Sequence, residues 1–195
     1  MINLEKCKEE FLRYVRVFEE EYEDEEEYIK IERKKLHSIR VMERCEEIAK
    51  ALNLNEEQTE LACLIGLLHD IGRFEQYTRN VAYLNEMLLD HAKLGVDILF
   101  KKGLIRKFIE DEKYDKIIEL AIVNHNKYKI PEGLNKEELL FSKIIRDADK
   151  LDILYEGVEI FWNSKTEKEN VENSKISVKI GQLFKVERPI KKVRK

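Results

Sequence analysis

Apolar residues recur at the spacing of a helix face in one stretch of this chain after another, and each stretch predicts an element. Residues 2–22 put Leu4, Phe11, Leu12, Val15 and Phe18 near one face. Glu19 to Glu27 then carries eight carboxylates interrupted only by Tyr22, a run that repels itself and favours solvent, so a turn and an exposed helix start are expected there. The second helix reaches about Asn53, with Val41, Cys45, Ile48, Ala49 and Leu52 on its buried side and His37 one turn before Val41. Asn55 followed by Glu56 and Glu57 reads as an N-cap with carboxylates in the first turn. The helix it opens contains LACLIGLLHDIG, Leu61 to Gly72, which is apolar around its whole circumference and therefore central and buried. Residues 73–88 show no clear period and predict a long loop or lid. Asp90 caps a short helix with Leu94, Ile98 and Leu99 on the face of His91, ended by Gly103. Residues 113–128 form another helix, with Ile118, Ala121, Ile122 and His125 together and Pro131 as its stop. Asn135 caps a helix running to about Tyr155 that groups Ile145, Asp149, Asp152 and Ile153.

Composition narrows this to an all-α chain. Only 2 prolines and 7 glycines occur in 195 residues, too few for the many reversals of a turn-rich β architecture. The length suits one domain, taken as residues 1–163. Beyond it, residues 164–195 are polar and then basic (VERPIKKVRK) and predict a short or poorly ordered tail. Hydrophobic residues at 43% supply a core, and charged residues at 39% supply its surface. With 36 basic against 40 acidic residues the net charge is -4, a poor match to a dedicated nucleic-acid binder. The sequence has no run of 18 apolar residues and its amino terminus is charged, so neither a membrane span nor a secretion signal is expected; the expected address is cytoplasmic. Cys7, Cys45 and Cys63 lack CxxC spacing and read as reduced packing residues.

Candidate chemistry lies in the histidines. The chain has four, and all four project from the apolar face of a predicted helix. His69 and Asp70 fall in the most apolar stretch, where an ionised carboxylate without a partner would cost several kcal/mol. Either a cation such as Arg73 reaches in, or a metal ion does, since neutral imidazole and carboxylate suit Fe, Mn, Zn or Co. Adjacent helical residues point about 100° apart, which still lets both converge on one ion, and the other helices would supply the missing ligands.

His37, the pair His69-Asp70 in LLHDIGRF and the aspartate of IIRDADKLD resemble the H…HD…D signature of the HD-domain superfamily over about residues 30–160. His91 in LDHAKLG and His125 in VNHNK resemble the two extra histidines of members that bind two metals. The resemblance implies an all-helical HD-domain bundle and a centre of two divalent transition ions (Fe, Mn, Zn, Co or Ni). By similarity His37, His69, Asp70 and Asp149 hold one ion, and Asp70 bridges to another held by His91 and His125. Asp149 is preferred over its neighbours Asp147 and Asp152 because it falls at the Ala-Asp of the motif. The cyclic-dinucleotide branch carries a paired His-His and a downstream Gly-Tyr-Pro; here Asn124 precedes His125 and no such tripeptide follows.

For most of the superfamily the resemblance implies hydrolysis of a phosphate ester or anhydride by metal-activated water, with Asp70 and His69 at the catalytic centre and a small phosphorylated substrate, a nucleotide by preference. Two ions about 3.5–4 Å apart lower the pKa of a bridging water and stabilise charge on phosphoryl oxygens. Arg73, Lys127 and Lys150 are the cations placed to hold the phosphate. The same ligand set also resembles the HD-fold diiron oxygenases, which cleave carbon bonds with O₂. A third possibility is a non-enzymatic metal- or nucleotide-sensing partner protein.

Overall fold

The computed structural model of the chain describes residues 2–20, 25–78 and 90–163. Among them no strand occurs, and the α-helices follow in order as α1 (Leu4–Glu20), α2 (Glu25–Ala51), α3 (Glu56–Leu68), α4 (Ile71–Thr78), α5 (His91–Val96), α6 (Ile105–Phe108), α7 (Asp115–Asn124) and α8 (Lys136–Asn163). This is the all-α bundle expected of the sequence. Contacts divide the chain into Met1–Asp152 and Ile153–Lys195. Of the second unit residues 153–163 are described, and there Ile153, Leu154 and Tyr155 are exposed. The site lies wholly in the first unit.

Helix α1 buries Cys7, Phe11, Val15 and Phe18, a stripe at i, i+4, i+8 and i+11. Leu12, expected on that face, is exposed because it lies about 100° round from Phe11. Phe11 and Tyr14 meet the Phe74 ring of α4 edge-on, with centroids 5.8 and 6.3 Å away, so one aromatic cluster joins α1 to the helix that follows the His69-Asp70 pair. Helix α1 also packs on α2 and α3.

Every residue of α3 from Leu61 to Leu68 is buried, as the all-round apolarity requires. Its start is a capping box: Asn55 Oδ1 accepts from the Gln58 amide, and Gln58 Oε1 accepts from the Asn55 amide. Gly66 lets α2 approach closely, since a Cβ there would stand 2.9 Å from Met42 Cα and from Cys45 Sγ. All three cysteines are free and buried, and burial raises the thiol pKa of Cys7 to about 11 and of Cys63 to about 12.

Several expected boundaries shift. The helix expected through Gly72 breaks: α3 stops at Leu68, His69 and Asp70 form a turn, and α4 restarts at Ile71. Residues 73–78 of the expected loop are therefore helical, while its remaining positions, 79–88, lie outside the described residues. Helix α5 continues as a π-helix from Asp97 to Lys101 and ends before Gly103, whose φ of +74° suits glycine. Residues 113–128 give a 3₁₀ turn and then α7, which stops at Asn124, one residue before His125. Helix α8 starts after Asn135, whose Oδ1 accepts from the Glu137 and Glu138 amides, and it runs past Tyr155 to Asn163. Leu52, expected on the buried side of α2, is half exposed because it lies just past the end of that helix. Residues 21–24 of the acidic run and the tail 164–195 lie outside the described residues, whereas Glu25 and Glu26 are exposed. No helix among the described residues is long and apolar enough to cross a membrane.

Candidate metal centre

His37 sits within the long helix α2 and Asp149 within α8. The other donors occupy helix ends. His69 is the C-cap of α3, Asp70 fills the turn before α4, His91 opens α5 and His125 caps α7. A helix end serves a ligand well because the chain can change direction there, so neighbouring residues such as His69 and Asp70 aim at one point without the 100° spread of a continuous helix.

All six side chains converge. The rings of His37 and His69, His69 and His125, and His91 and His125 stand edge-on with centroids 5.1–5.2 Å apart. Asp70 lies between two groups. Its Oδ2 is 3.7 Å from Nε2 of both His37 and His69, while its Oδ1 is 3.3 Å from His91 Nε2 and 3.6 Å from His125 Nε2. Asp149 Oδ1 joins the first group, 3.2 Å from His37 Nε2 and 3.6 Å from His69 Nε2. Donor atoms close enough to share an ion occur in the sets His37-His69-Asp70, His69-His125-Asp149 and Asp70-His91-His125.

The donor atoms are buried yet unsatisfied. Nε2 of His37, Nε2 of His69 and Oδ1 of Asp70 are all inaccessible to solvent and make no hydrogen bond. An unmade buried hydrogen bond costs about 1–3 kcal/mol, so three meeting in one place require a compensating partner. Four imidazoles with two carboxylates are the nitrogen and oxygen donors that Fe, Mn, Co or Zn accept, and the residues present fit such an ion.

Outer contacts aim the rings. Nδ1 of His69 lies 2.8 Å from the Gly66 carbonyl and Nδ1 of His125 lies 2.7 Å from the Ile122 carbonyl. A carbonyl only accepts, so both rings carry Nδ1–H and present the Nε2 lone pair inward. His91 Nε2 is 3.1 Å from His125 Nε2, so one shared proton satisfies that pair until a cation replaces it. Nδ1 of His37 donates to Asp152 Oδ2 at 2.7 Å, and Arg40 holds the same carboxylate through Nε and Nη2 at 2.7 and 2.8 Å. This is the carboxylate-histidine arrangement that fixes tautomer and raises ligand basicity. Asp152→Asn is expected to weaken metal binding about 10–100-fold, read by competition with a chromophoric chelator. An unchanged affinity would show that Asp152 orients nothing.

Electrostatics keep Asp70, Asp149 and His91 in ligand form. Burial by itself raises the pKa of Asp70, but His69, His125 and Lys34 outweigh it and hold the carboxyl well below its usual range. Asp149 is likewise lowered, burial being overcome by His37 and His69. Burial pushes His91 down to about 4, so its ring is neutral around pH 7. The carboxylates of Asp149 and Asp152 raise His37 against the opposing effect of burial.

The cations expected beside the site are placed differently from one another. Arg73 Nε is 3.9 Å from Asp70 Oδ1 and, although buried, makes no hydrogen bond. Lys127 instead forms an ion pair with Asp90, and Lys150 is exposed and turns back to the Arg146 carbonyl of its own helix. Lys34 escaped the sequence reading, yet its Nζ lies 2.9 Å from Asp70 Oδ2. Helical spacing carried the signal, because Lys34 and Arg40 stand three residues before and after His37, and Asp152 stands three after Asp149.

The family model for the HD domain matches residues 36–154, a span containing all six donors. A protein of Bacillus subtilis (strain 168) named "Putative phosphohydrolase YueE" is 36% identical over 96 residues, 48% of this chain and 52% of that protein. The chain thus spans about half the length of the curated relative it matches. No solved structure matches it. The family match extends over more than half of the 195 residues and takes in the whole ligand cluster, and the chain belongs to the HD-domain family.

Proposed function

We propose that the chain is a metal-dependent phosphohydrolase with a two-ion centre, acting on a small phosphorylated compound and preferentially on a nucleotide. The observation that carries this reading is the division of Asp70, whose two oxygens face separate histidine pairs, His37 with His69 and His91 with His125. One carboxylate between two donor groups is the arrangement that two cations need in order to sit side by side. His37, His69, Asp70 and Asp149 would hold the first ion, and Asp70, His91 and His125 the second. Ions bound there supply a water acidified towards neutral pH and a Lewis acid for phosphoryl oxygens.

The protein's own residues do the rest. Asp70, Asp149 and the neutral imidazoles bring two negative charges, fewer than the four positive charges of two divalent ions, so the loaded centre attracts an anion. Lys34 and Arg73 stand beside opposite oxygens of Asp70; Arg73 Nε makes no hydrogen bond, while its Nη1 donates to Gln76 Oε1 at 2.8 Å. Both would turn to the substrate phosphate once the Asp70 oxygens are engaged. Lys127 and Lys150, held by Asp90 and by the Arg146 carbonyl, are less available for that contact.

The test is elemental analysis of protein purified without chelators, followed by a panel of nucleotides and other phosphate esters assayed with Mn, Co, Fe and Zn. Two ions per chain with release of phosphate or pyrophosphate is the expected outcome, and Lys34→Met and Arg73→Met should each raise KM at least about 10-fold. Iron- and O₂-dependent turnover without phosphate release would identify an oxygenase instead, and metal binding without turnover would identify a sensor.

A further inference from the structure

The two halves of the centre are mounted differently. His37 and Asp149 stand inside helices of 27 and 28 residues, each held by neighbours along its length. His91 and His125 stand at ends: the first residue of a six-residue helix, and the residue just past α7. A side chain at a helix end has half the surrounding turns of one in the middle, so its position depends on local ties.

Those ties are specific. Asp90, next to His91, accepts from the Ala92 amide at 3.1 Å and so caps α5. The same Oδ1 accepts from Asn126 Nδ2 at 2.8 Å, and Oδ2 pairs with the Lys127 ammonium. One carboxylate therefore fastens the residue before His91 to the two residues after His125. Arg146 of α8 also reaches into this turn. Its Nη1 donates to the carbonyl of Asn124 at 3.2 Å and to that of Lys127, and its Nη2 donates to the carbonyl of Tyr128 at 3.2 Å. Arg146 lies three residues before Asp149, so its clamp ties the His125 turn to the helix that carries a first-ion donor.

We propose that Asp90, through Lys127 and Asn126, positions His91 and His125 as a pair and thereby sets the affinity of the second ion alone, so that the two ions bind in separable steps. This rests on the two-ion reading of the site. Lys127 is on this account a positioning residue and makes no substrate contact. The first ion, held by α2, the α3–α4 turn and α8, needs none of these ties and binds tighter. Breaking the Asp90-Lys127 pair loosens only His91 and His125, the donors that flank it in sequence, and outer partners of this kind change metal affinity by about 10–100-fold.

The test is an equilibrium titration of the ion-free chain with Mn²⁺, followed by calorimetry and by elemental analysis at each plateau, in wild type, Lys127→Met and Lys127→Arg. Wild type should show two steps, one ion each. Lys127→Met should weaken the second step about 10–100-fold and leave the first within about twofold, and Lys127→Arg, which retains the cation, should restore most of the second. Melting in EDTA should be little changed, because the pair is partly exposed and solvent screens its attraction. A Lys127→Met protein in which both steps weaken together, or neither does, overturns the proposal while the two-ion reading stands. A wild type that saturates at one ion per chain overturns both.

Discussion

Asp70→Ala is expected to bind neither ion and to lose at least about 10³-fold in phosphohydrolase activity while the helical circular dichroism signal is retained. The magnitude follows from what leaves with the carboxylate. Lewis-acid stabilisation of a phosphoryl transition state is worth several kcal/mol, and about 4 kcal/mol corresponds to three decades in rate. Asp70 faces both histidine pairs, so on the proposed two-ion reading its removal affects both ions, whereas loss of His91 or His125 weakens chiefly the second. The fold should survive because the substitution also removes a buried charge and leaves Lys34, whose side chain is about a quarter exposed, free to swing into solvent. Asp70→Asn separates charge from shape: it keeps one accepting oxygen and the side-chain volume but halves the negative charge of the donor set. It should therefore resemble alanine in activity and wild type in packing. Full metal content and activity in either variant would remove Asp70 from the centre.

Gly72→Ala should be the most damaging change outside the donor set. A Cβ at residue 72 would lie 2.3 Å from the His91 carbonyl oxygen and 2.6 Å from the Gly95 amide nitrogen. Both are backbone atoms of α5, so no side chain can rotate aside. Ordinary contact begins near 3.4 Å, and α4 and α5 must separate by about 1 Å to reach it. Overpacking of this kind costs about 1–3 kcal/mol and sometimes more, which for a chain of this size lowers Tm by roughly 2–12 °C. The displaced residue is His91 itself. A misplacement of about 1 Å near a reacting centre can cost 10²-fold, so the folded fraction should also lose about two decades of activity together with much of its second-ion affinity. A thermal scan and a metal titration on the same preparation check both effects. A Tm within about 2 °C of wild type would mean that the two helices are free to part and that Gly72 does not hold His91 in place.

Both predictions depend on features of unequal visibility in the amino-acid order. The adjacency of His69 and Asp70 in an apolar stretch is visible directly, and it forces the question of what compensates a buried carboxylate. The spacing around His37 also shows, with hindsight, that Lys34, Arg40 and the helix face they share belong to the site. The close approach at Gly72 has no such signature, since an isolated glycine after an apolar run reads equally well as a helix stop. The break between α3 and α4 was hidden for a related reason. Hydrophobic periodicity reports which residues are buried, and in a stretch buried on all sides it carries no phase, so a turn at His69-Asp70 leaves no mark.

The cations make the same distinction. Arg73, Lys127 and Lys150 are all near a donor in sequence, yet only Arg73 stands against Asp70, together with Lys34, which is 36 positions away. A lysine takes whichever carboxylate its flexible stem reaches first, and Asp90 claims Lys127.

By itself the order of residues determined the helical class, the buried or exposed side of most helices and the capping of α3, α5 and α8, while the six candidate donors came from the resemblance to the HD-domain superfamily. The first three are local matters of spacing and side-chain chemistry, which travel with the residue wherever the helix goes. Only the tertiary structure decided that His37 meets Asp152 across 115 positions, that the oxygens of Asp70 divide between two histidine pairs, and that Asp90 and Arg146 close on the His125 turn. Those contacts depend on how helices cross, and the crossing is set by packing between segments distant in sequence, such as the approach of α4 to α5 that a missing Cβ permits.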